Sequence, residues 1–285
     1  MQVLSWNIQW GRGADGKVDL ARTASVLRAA GCPEIICLQE VACGWAGLKG
    51  QPEPLDGPAL LGAAMPEYQV LYFPCLEQGN GAGGVRGFGN LIMSRLPVGR
   101  VFRHLLPAPP DSSVPSMQRG CLEVEVAASG GALRILCTHL EYYSKKQRLA
   151  QATRLAGLQQ EAVEQARSAE AQRRPRRPSI FDLPARAEAA VLCGDMNCEP
   201  DSAEYQAIVG GAGGAPAWCD AWTQCHPGVA HAPTVGLHGA EWPDRAYCCD
   251  FLFTSASLAA NSKDVRVLAE TAASDHQPVL LALRF

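Results

Sequence analysis

The chain has 285 residues, 47% hydrophobic and 19% charged, and a net charge of −3. That is enough apolar material for a sizeable core, and it excludes a disordered polyampholyte or a uniformly basic nucleic-acid binder. Its 12 cysteines would suit a disulfide framework, but Cys37, Cys137, Cys193, Cys248 and Cys249 fall inside apolar strand-like runs and no Cys-x-x-Cys pair occurs; free thiols are expected.

Met1 to Asn7 already reads as a strand, with Val3, Leu4 and Trp6 leading into Asn7 and no charged leader or cleavage site before it. With reduced thiols, this gives the expectation of a cytoplasmic protein. No run approaches membrane-spanning length. A helix is expected over 18–30, with Gly31 as its C-cap, and then a strand over 34–38 that runs into Gln39 and Glu40. Two early strands therefore end in polar groups. Residues 44–66 are rich in Gly and Pro, with at most a short helix near 59–65, and 68–74 reads as a strand. Gly79, Gly81 and Gly84 have the spacing of a dinucleotide-binding loop, yet another strand, 86–93, follows them where a helix would be required. A hairpin is the expected structure there.

Strands follow over 98–105, 120–127 and 132–137, the last ending in Thr138-His139-Leu140. Ser144 and Gln147 form a capping-box pair for a long helix whose apolar stripe is Leu149, Ala152, Leu155 or Ala156, and Leu158. Arg148 and Gln151 lie close enough to reach back towards the strand end. A basic, Pro-rich loop spans about 167–187 and includes Arg173-Arg174-Pro175-Arg176-Arg177. A solvated linker and an arm touching a phosphate-rich ligand describe it equally well.

The apolar run Ala189 to Cys193 then delivers Gly194-Asp195-Met196-Asn197. Asp195 and Asn197 are two apart and share a face if extended, although an Asx turn explains them as well. Asp201 and Glu204 repeat the capping-box spacing. A long loop from 225 to 247 carries His226, His231, His238 and Trp242, a weak metal signal at that spacing. Tyr247 to Phe253 is an apolar strand interrupted by Asp250, and an acid there needs a partner. Ser274-Asp275-His276-Gln277 leads into the last strand, 279–283. No composition break divides the chain, so one domain over residues 1–285 is expected.

The strand-end residues together are hard oxygen ligands, two imidazoles and amides, with no G-x-S-x-G elbow and no phosphate-binding G-x-x-x-x-G-K-[ST] loop. Such a set selects Mg²⁺ or Mn²⁺ over zinc and suits an anionic phosphoryl transition state. Trp6-Asn7, Leu38-Gln39-Glu40, Gly89-Asn90, Thr138-His139-Leu140, Gly194-Asp195-Met196-Asn197, the Asp250 strand and Ser274-Asp275-His276 stand in an order that resembles the endonuclease/exonuclease/phosphatase superfamily.

That resemblance implies an α/β fold, a four-layer α/β/β/α sandwich with two mixed, mostly antiparallel β-sheets. It implies metal ligation by Glu40 with Asn7 and Asp275, and catalysis by His139, Asp195, Asn197, Asp250 and His276. Asp195 would position or deprotonate water, Asn197 would hold water or a phosphate oxygen, and His276, oriented by Asp250, would stabilise charge. Asn90, Tyr142, Arg148 and His238 are the expected substrate contacts. The implied activity is Mg²⁺- or Mn²⁺-dependent phosphoester hydrolysis, with a phosphodiesterase or nuclease expected first. A phosphomonoesterase or lipid-headgroup phosphodiesterase is the alternative, and a non-catalytic phosphate-ligand binder the least favoured. The expected partner is a phosphoester substrate, nucleic acid among the candidates, and the chain is expected to be a monomer.

Overall fold

The computed structural model describes residues 1–81, 83–168, 186–210, 217–239, 241 and 243–284. Arg173 to Arg177 of the basic loop and Trp242 lie outside these residues.

Among the described residues, twelve strands form two six-stranded sheets. The first contains β1 (Gln2–Asn7), β2 (Ile35–Cys43), β3 (Gln69–Gly79), β4 (Val85–Ser94), β11 (Ser262–Val267) and β12 (Val279–Leu283), in the order β11-β12-β1-β2-β4-β3. The second contains β5 (Val98–Leu105), β6 (Gly120–Ala128), β7 (Gly131–His139), β8 (Ala190–Asp195), β9 (Cys219–Asp220) and β10 (Asp250–Thr254), in the order β5-β6-β7-β8-β10-β9.

Strict alternation assigns each face. In β1, β2 and β8, Val3, Ile35, Cys37, Val191 and Cys193 point between the sheets into one core. Their neighbours Leu4, Ile36 and Leu38 point outward under α1 (Leu20–Ala29) and α2 (Gly57–Ala64), while Ala190 and Leu192 point outward under α3 (Lys145–Arg167) and α4 (Ala203–Val209). Ala24, Leu27 and Leu61 seal the first outer face; Ala152, Leu155, Leu158 and Ile208 seal the second. Strands apolar on both faces are what a four-layer sandwich requires. A short α5 (Ala221–Cys225) completes the helices with defined caps.

Each sheet has one parallel pair at its centre, β1 with β2 and β7 with β8, among antiparallel neighbours. Parallel strands bring their carboxyl ends to one rim, and antiparallel strands bring their amino ends to it. Asn7, His139 and Asp195 therefore arrive from strand ends, Glu40 arrives from a bulge inside β2, and Asp250 arrives at the start of β10, directly opposite Asp195 in register. His276 arrives just ahead of β12. This is the geometric reason a site forms here at all.

Local details depart from the sequence expectations in instructive places. Asp250 opens β10 instead of interrupting it, because residues before it leave the sheet. The cap of α4 is Ser202, whose side chain accepts from Tyr205 N, since Asp201 adopts a left-handed φ of 67°. Ser144 caps α3 as expected, but Gln147 Nε2 reaches Pro109 O and Ser116 Oγ and leaves the reciprocal half of the box unmade. Leu149 lies outside the buried stripe, 41% exposed. All 12 cysteines are free thiols. No helix of the described residues is long and apolar enough to cross a membrane.

Candidate active site

Asn7 sits at the centre of the rim. Its Nδ2 donates to Glu40 Oε1 at 3.1 Å and to Asp195 Oδ2 at 3.0 Å, tying the first sheet to the second. Glu40 occupies a register shift in β2 between Leu38 and Val41, with φ of 56°. The bulge turns its side chain to the rim where a regular strand would not. Asn197 also has positive φ, 50°. Left-handed backbone at such residues costs about 1 kcal/mol or more and persists only where surroundings hold it. Here Asn197 N donates to Asp195 Oδ1 at 2.9 Å, and Asn197 Nδ2 donates to Leu140 O at 2.9 Å.

The two imidazoles are held in opposite charge states. Asn197 Nδ2 also lies 2.9 Å from His139 Nε2. The bond to Leu140 O fixes which end of the amide is the donor, so Nε2 of His139 accepts and Nδ1 carries the proton. Burial, with help from the nearby Arg119 charge, pushes the His139 pKa down to about 3, and the ring is neutral. His276 is the reverse. Burial opposes its charge, but Asp250, Asp195 and Asp275 together outweigh burial and raise its pKa well above the ordinary value. Its Nδ1 donates to Asp250 Oδ2 at 2.8 Å, and its Nε2 lies 3.7 Å from Asp195 Oδ2. Thr234 Oγ1 holds the same Asp250 oxygen at 2.6 Å, and Trp6 Nε1 pins the His276 carbonyl at 2.9 Å.

Negative charge accumulates on the other side. Burial and then repulsion from Asp275 push the Glu40 pKa up to about 7, against the hydrogen bond from Asn7 and the His276 charge. Two carboxylates close enough to disfavour each other's charge are the donors a hard divalent cation takes. Asp275 is steadied by Gln9 Nε2 at 2.6 Å and Ser274 Oγ at 3.1 Å. Arg119 is buried beside Glu40 and His139. Among the described residues its side chain makes one hydrogen bond, Nε to Glu141 Oε2 at 3.1 Å, which leaves both Nη groups available at the rim.

A profile of the Endonuclease/Exonuclease/phosphatase family matches residues 4–276. The chain belongs to that family. Solved structures agree on the fold. The chain is similar to an endonuclease/exonuclease/phosphatase from Beutenbergia cavernae (23% identity, TM-score 0.66), covering 100% of this chain and 71% of that one. It is similar to the mannosyl-6-phosphatase Bt3783 of Bacteroides thetaiotaomicron (19%, TM-score 0.65, 100% of both chains). It is likewise similar to D. rerio TDP2 complexed with single strand DNA product (18%, TM-score 0.66, 100% of this chain and 99% of that). No curated protein matches the chain in sequence.

In this endonuclease/exonuclease/phosphatase family protein, Asn7, Glu40, His139, Asp195, Asn197, Asp250, Asp275 and His276 all come to one rim. Asn7 is placed as a bridge, its amide hydrogens facing the carboxylates while its Oδ1 accepts from Gln9 N at 3.1 Å. Three of the expected substrate contacts have polar atoms engaged by the protein itself, although Arg148 and Asn90 line cavities at the rim. Asn90 is buried, its Nδ2 donating to Gly120 O at 2.9 Å beneath the rim. The Arg148 guanidinium is held by Glu204 Oε1 and by the carbonyls of Glu141 and Tyr142. His238 Nε2 is bonded to Ala269 O. Tyr142 lines a groove of about 890 Å³ that begins at Asn197. Sequence reading missed Gln9, Arg119, Glu141, Thr234 and Cys249. Only Arg119 carried a signal, as a cation just ahead of a strand. Cys249 comes within 4.8 Å of Asp195 and His276, but burial keeps its thiol protonated and Asp250 occupies His276 Nδ1, so that trio does not suit a metal.

Proposed function

We propose that this protein is a divalent-metal-dependent phosphoester hydrolase, acting first as a phosphodiesterase. The observation that carries the reading is the convergence of Glu40, Asp195 and His276 around Asn7, with one imidazole charged and the other neutral. Glu40 and Asp275 would hold Mg²⁺ or Mn²⁺, which supplies Lewis-acid stabilisation of a non-bridging phosphoryl oxygen when bound. Asp195, with Asn197 alongside, orients a water and accepts its proton. The His276 imidazolium, fixed by Asp250, presents Nε2–H to the charge that develops on the phosphoryl group, and Arg119 meets it from the His139 side. Neutral His139 offers Nδ1–H to a phosphate oxygen. The names of two similar structures, a mannosyl-6-phosphatase and TDP2 with a DNA product, support phosphoester chemistry on this fold.

The test is release of nitrophenolate from bis-p-nitrophenyl phosphate with Mg²⁺ or Mn²⁺. Asp195→Ala and His276→Ala are expected to abolish it. Undiminished turnover in either variant removes this mechanism, and cleavage of p-nitrophenyl phosphate alone would make the protein a phosphomonoesterase.

A further inference from the structure

Directly after β1 the chain takes a costly turn. Gln9 and Trp10 both have left-handed φ, 44° and 47°, and Gly11 follows at 90°. Two consecutive residues of that kind persist only where their surroundings hold them. Here Gln9 N donates to Asn7 Oδ1 at 3.1 Å, Trp10 Nε1 to Lys49 O at 3.0 Å and Arg12 N to Gln9 O at 2.8 Å. The turn aims the Gln9 side chain at a residue 266 positions away, where Nε2 donates to Asp275 Oδ2 at 2.6 Å. Ser274 Oγ donates to Asp275 Oδ1 at 3.1 Å, so a donor engages each carboxylate oxygen.

A carboxamide has two ends of nearly the same shape, and only its NH₂ end can donate to a carboxylate. Arg12 decides which end faces Asp275. Its Nη1 donates to Gln9 Oε1 at 3.2 Å, and a guanidinium has no acceptor, so Oε1 must face Arg12 and Nε2 must face Asp275. Arg12 is itself held. Its Nη2 lies 3.2 Å from Glu241 Oε2, Glu241 also takes Lys49 Nζ at 2.5 Å, and the Arg12 side chain is only 12% exposed.

Resting on the cation reading above, we propose that Arg12 is a positioning residue for the divalent-cation site: it fixes the Gln9 carboxamide with its donor towards Asp275, and thereby holds Asp275 ready to take the ion. Without Arg12 the amide can turn over and set its oxygen against Asp275, and the left-handed turn loses a support. Groups that orient a metal ligand in this way are worth about 10- to 100-fold in metal affinity. The sign of the effect separates this role from simple electrostatics. As a positive charge near a cation site Arg12 opposes binding, so on that account its removal would tighten the ion. As an orienting group, its removal loosens the ion.

The test is calorimetric titration of Mn²⁺ into the metal-free chain, with no substrate present. Arg12→Met should weaken Mn²⁺ binding by about tenfold or more, and Gln9→Met should weaken it as much. Adding Arg12→Met to Gln9→Met should then change nothing further, because Arg12 acts through Gln9. Arg12→Lys, the milder change, keeps the charge but loses the planar fork that serves Gln9 and Glu241 together, so binding should weaken there as well. Unchanged or tighter binding in either Arg12 variant, or a second loss of the same size in the double variant, overturns this role while the cation reading stands. An unaltered chain that takes up no Mn²⁺ removes the cation reading, and this role with it.

Discussion

His139 and His276 share one rim, and their surroundings drive them apart. His276 has three carboxylates around it and is charged; His139 has Arg119 nearby, is buried, and is neutral. Separated protonation states of this kind assign distinct duties to chemically identical side chains. Asp250→Asn should therefore leave the fold intact, because Thr234 and the backbone still hold the position, while removing the charge that keeps His276 protonated. Steady-state turnover of bis-p-nitrophenyl phosphate is expected to fall by about 10²-fold or more. Arg119→Met removes two unengaged donors from the rim and should lower kcat/KM by about 10²-fold. Glu141 keeps its bonds from Tyr143 N and Met117 N in that variant, so near-UV circular dichroism should be unchanged.

Strands and helices bring these residues together through a few exacting contacts. Gly194 in β8 has φ of 146°, and a Cβ there would lie 1.8 Å from Thr138 O of β7. Gly194→Ala must push apart the two strands that carry His139 and Asp195, and thermal melting should show a loss of more than about 3 kcal/mol. Under α3, Glu123 on β6 is fully buried with Arg134 Nε at 2.9 Å, His104 Nε2 at 2.9 Å and Arg186 Nη1 at 3.4 Å. Burial alone would raise its pKa, but the hydrogen bond with His104 and the Arg134 and Arg186 charges together outweigh it, and the pKa falls below the ordinary 4.5. The stabilisation from Glu123 is thus complete above that value and disappears as pH falls through the depressed one. Glu123→Gln should cost about 3 kcal/mol or more at pH 7 by leaving Arg134 buried without its counter-charge. Its denaturation midpoint should also decline less than the parent's between neutral pH and pH 3.

At the scale of the molecule, the site exists only where two sheets meet. Asn7, Glu40, Asp275 and His276 come with the first sheet; His139, Asp195, Asn197 and Asp250 come with the second. A divalent cation held by Glu40 and Asp275 of the first sheet and facing the second should tighten the whole sandwich. With Mg²⁺ at 100 times its dissociation constant, stability should rise by about 2.7 kcal/mol, seen as a higher Tm. Glu40→Gln should melt without that Mg²⁺-dependent rise; an undiminished rise in this variant would place the cation elsewhere.

The amino-acid sequence by itself determined the elements and the chemistry at their ends. Alternation in Val3-Leu4, Ile35-Ile36 and Val191-Leu192 marks strands buried on both faces, because side chains repeat every two residues. The polar residues that flank such runs, from Asn7 to His276, mark a common rim, and seven short motifs in order carry the family. Tertiary structure alone decided which neighbours each polar atom meets. Asn90 and Arg148 look like their catalytic counterparts in the chain but turn inward, because Gly120, Cys137, Glu141 and Glu204 lie next to them only after folding. Arg119, Thr234 and the bond from Gln9 to Asp275 became visible for the same reason: strand partners are chosen over distances of tens to hundreds of residues, and local periodicity carries no record of that choice.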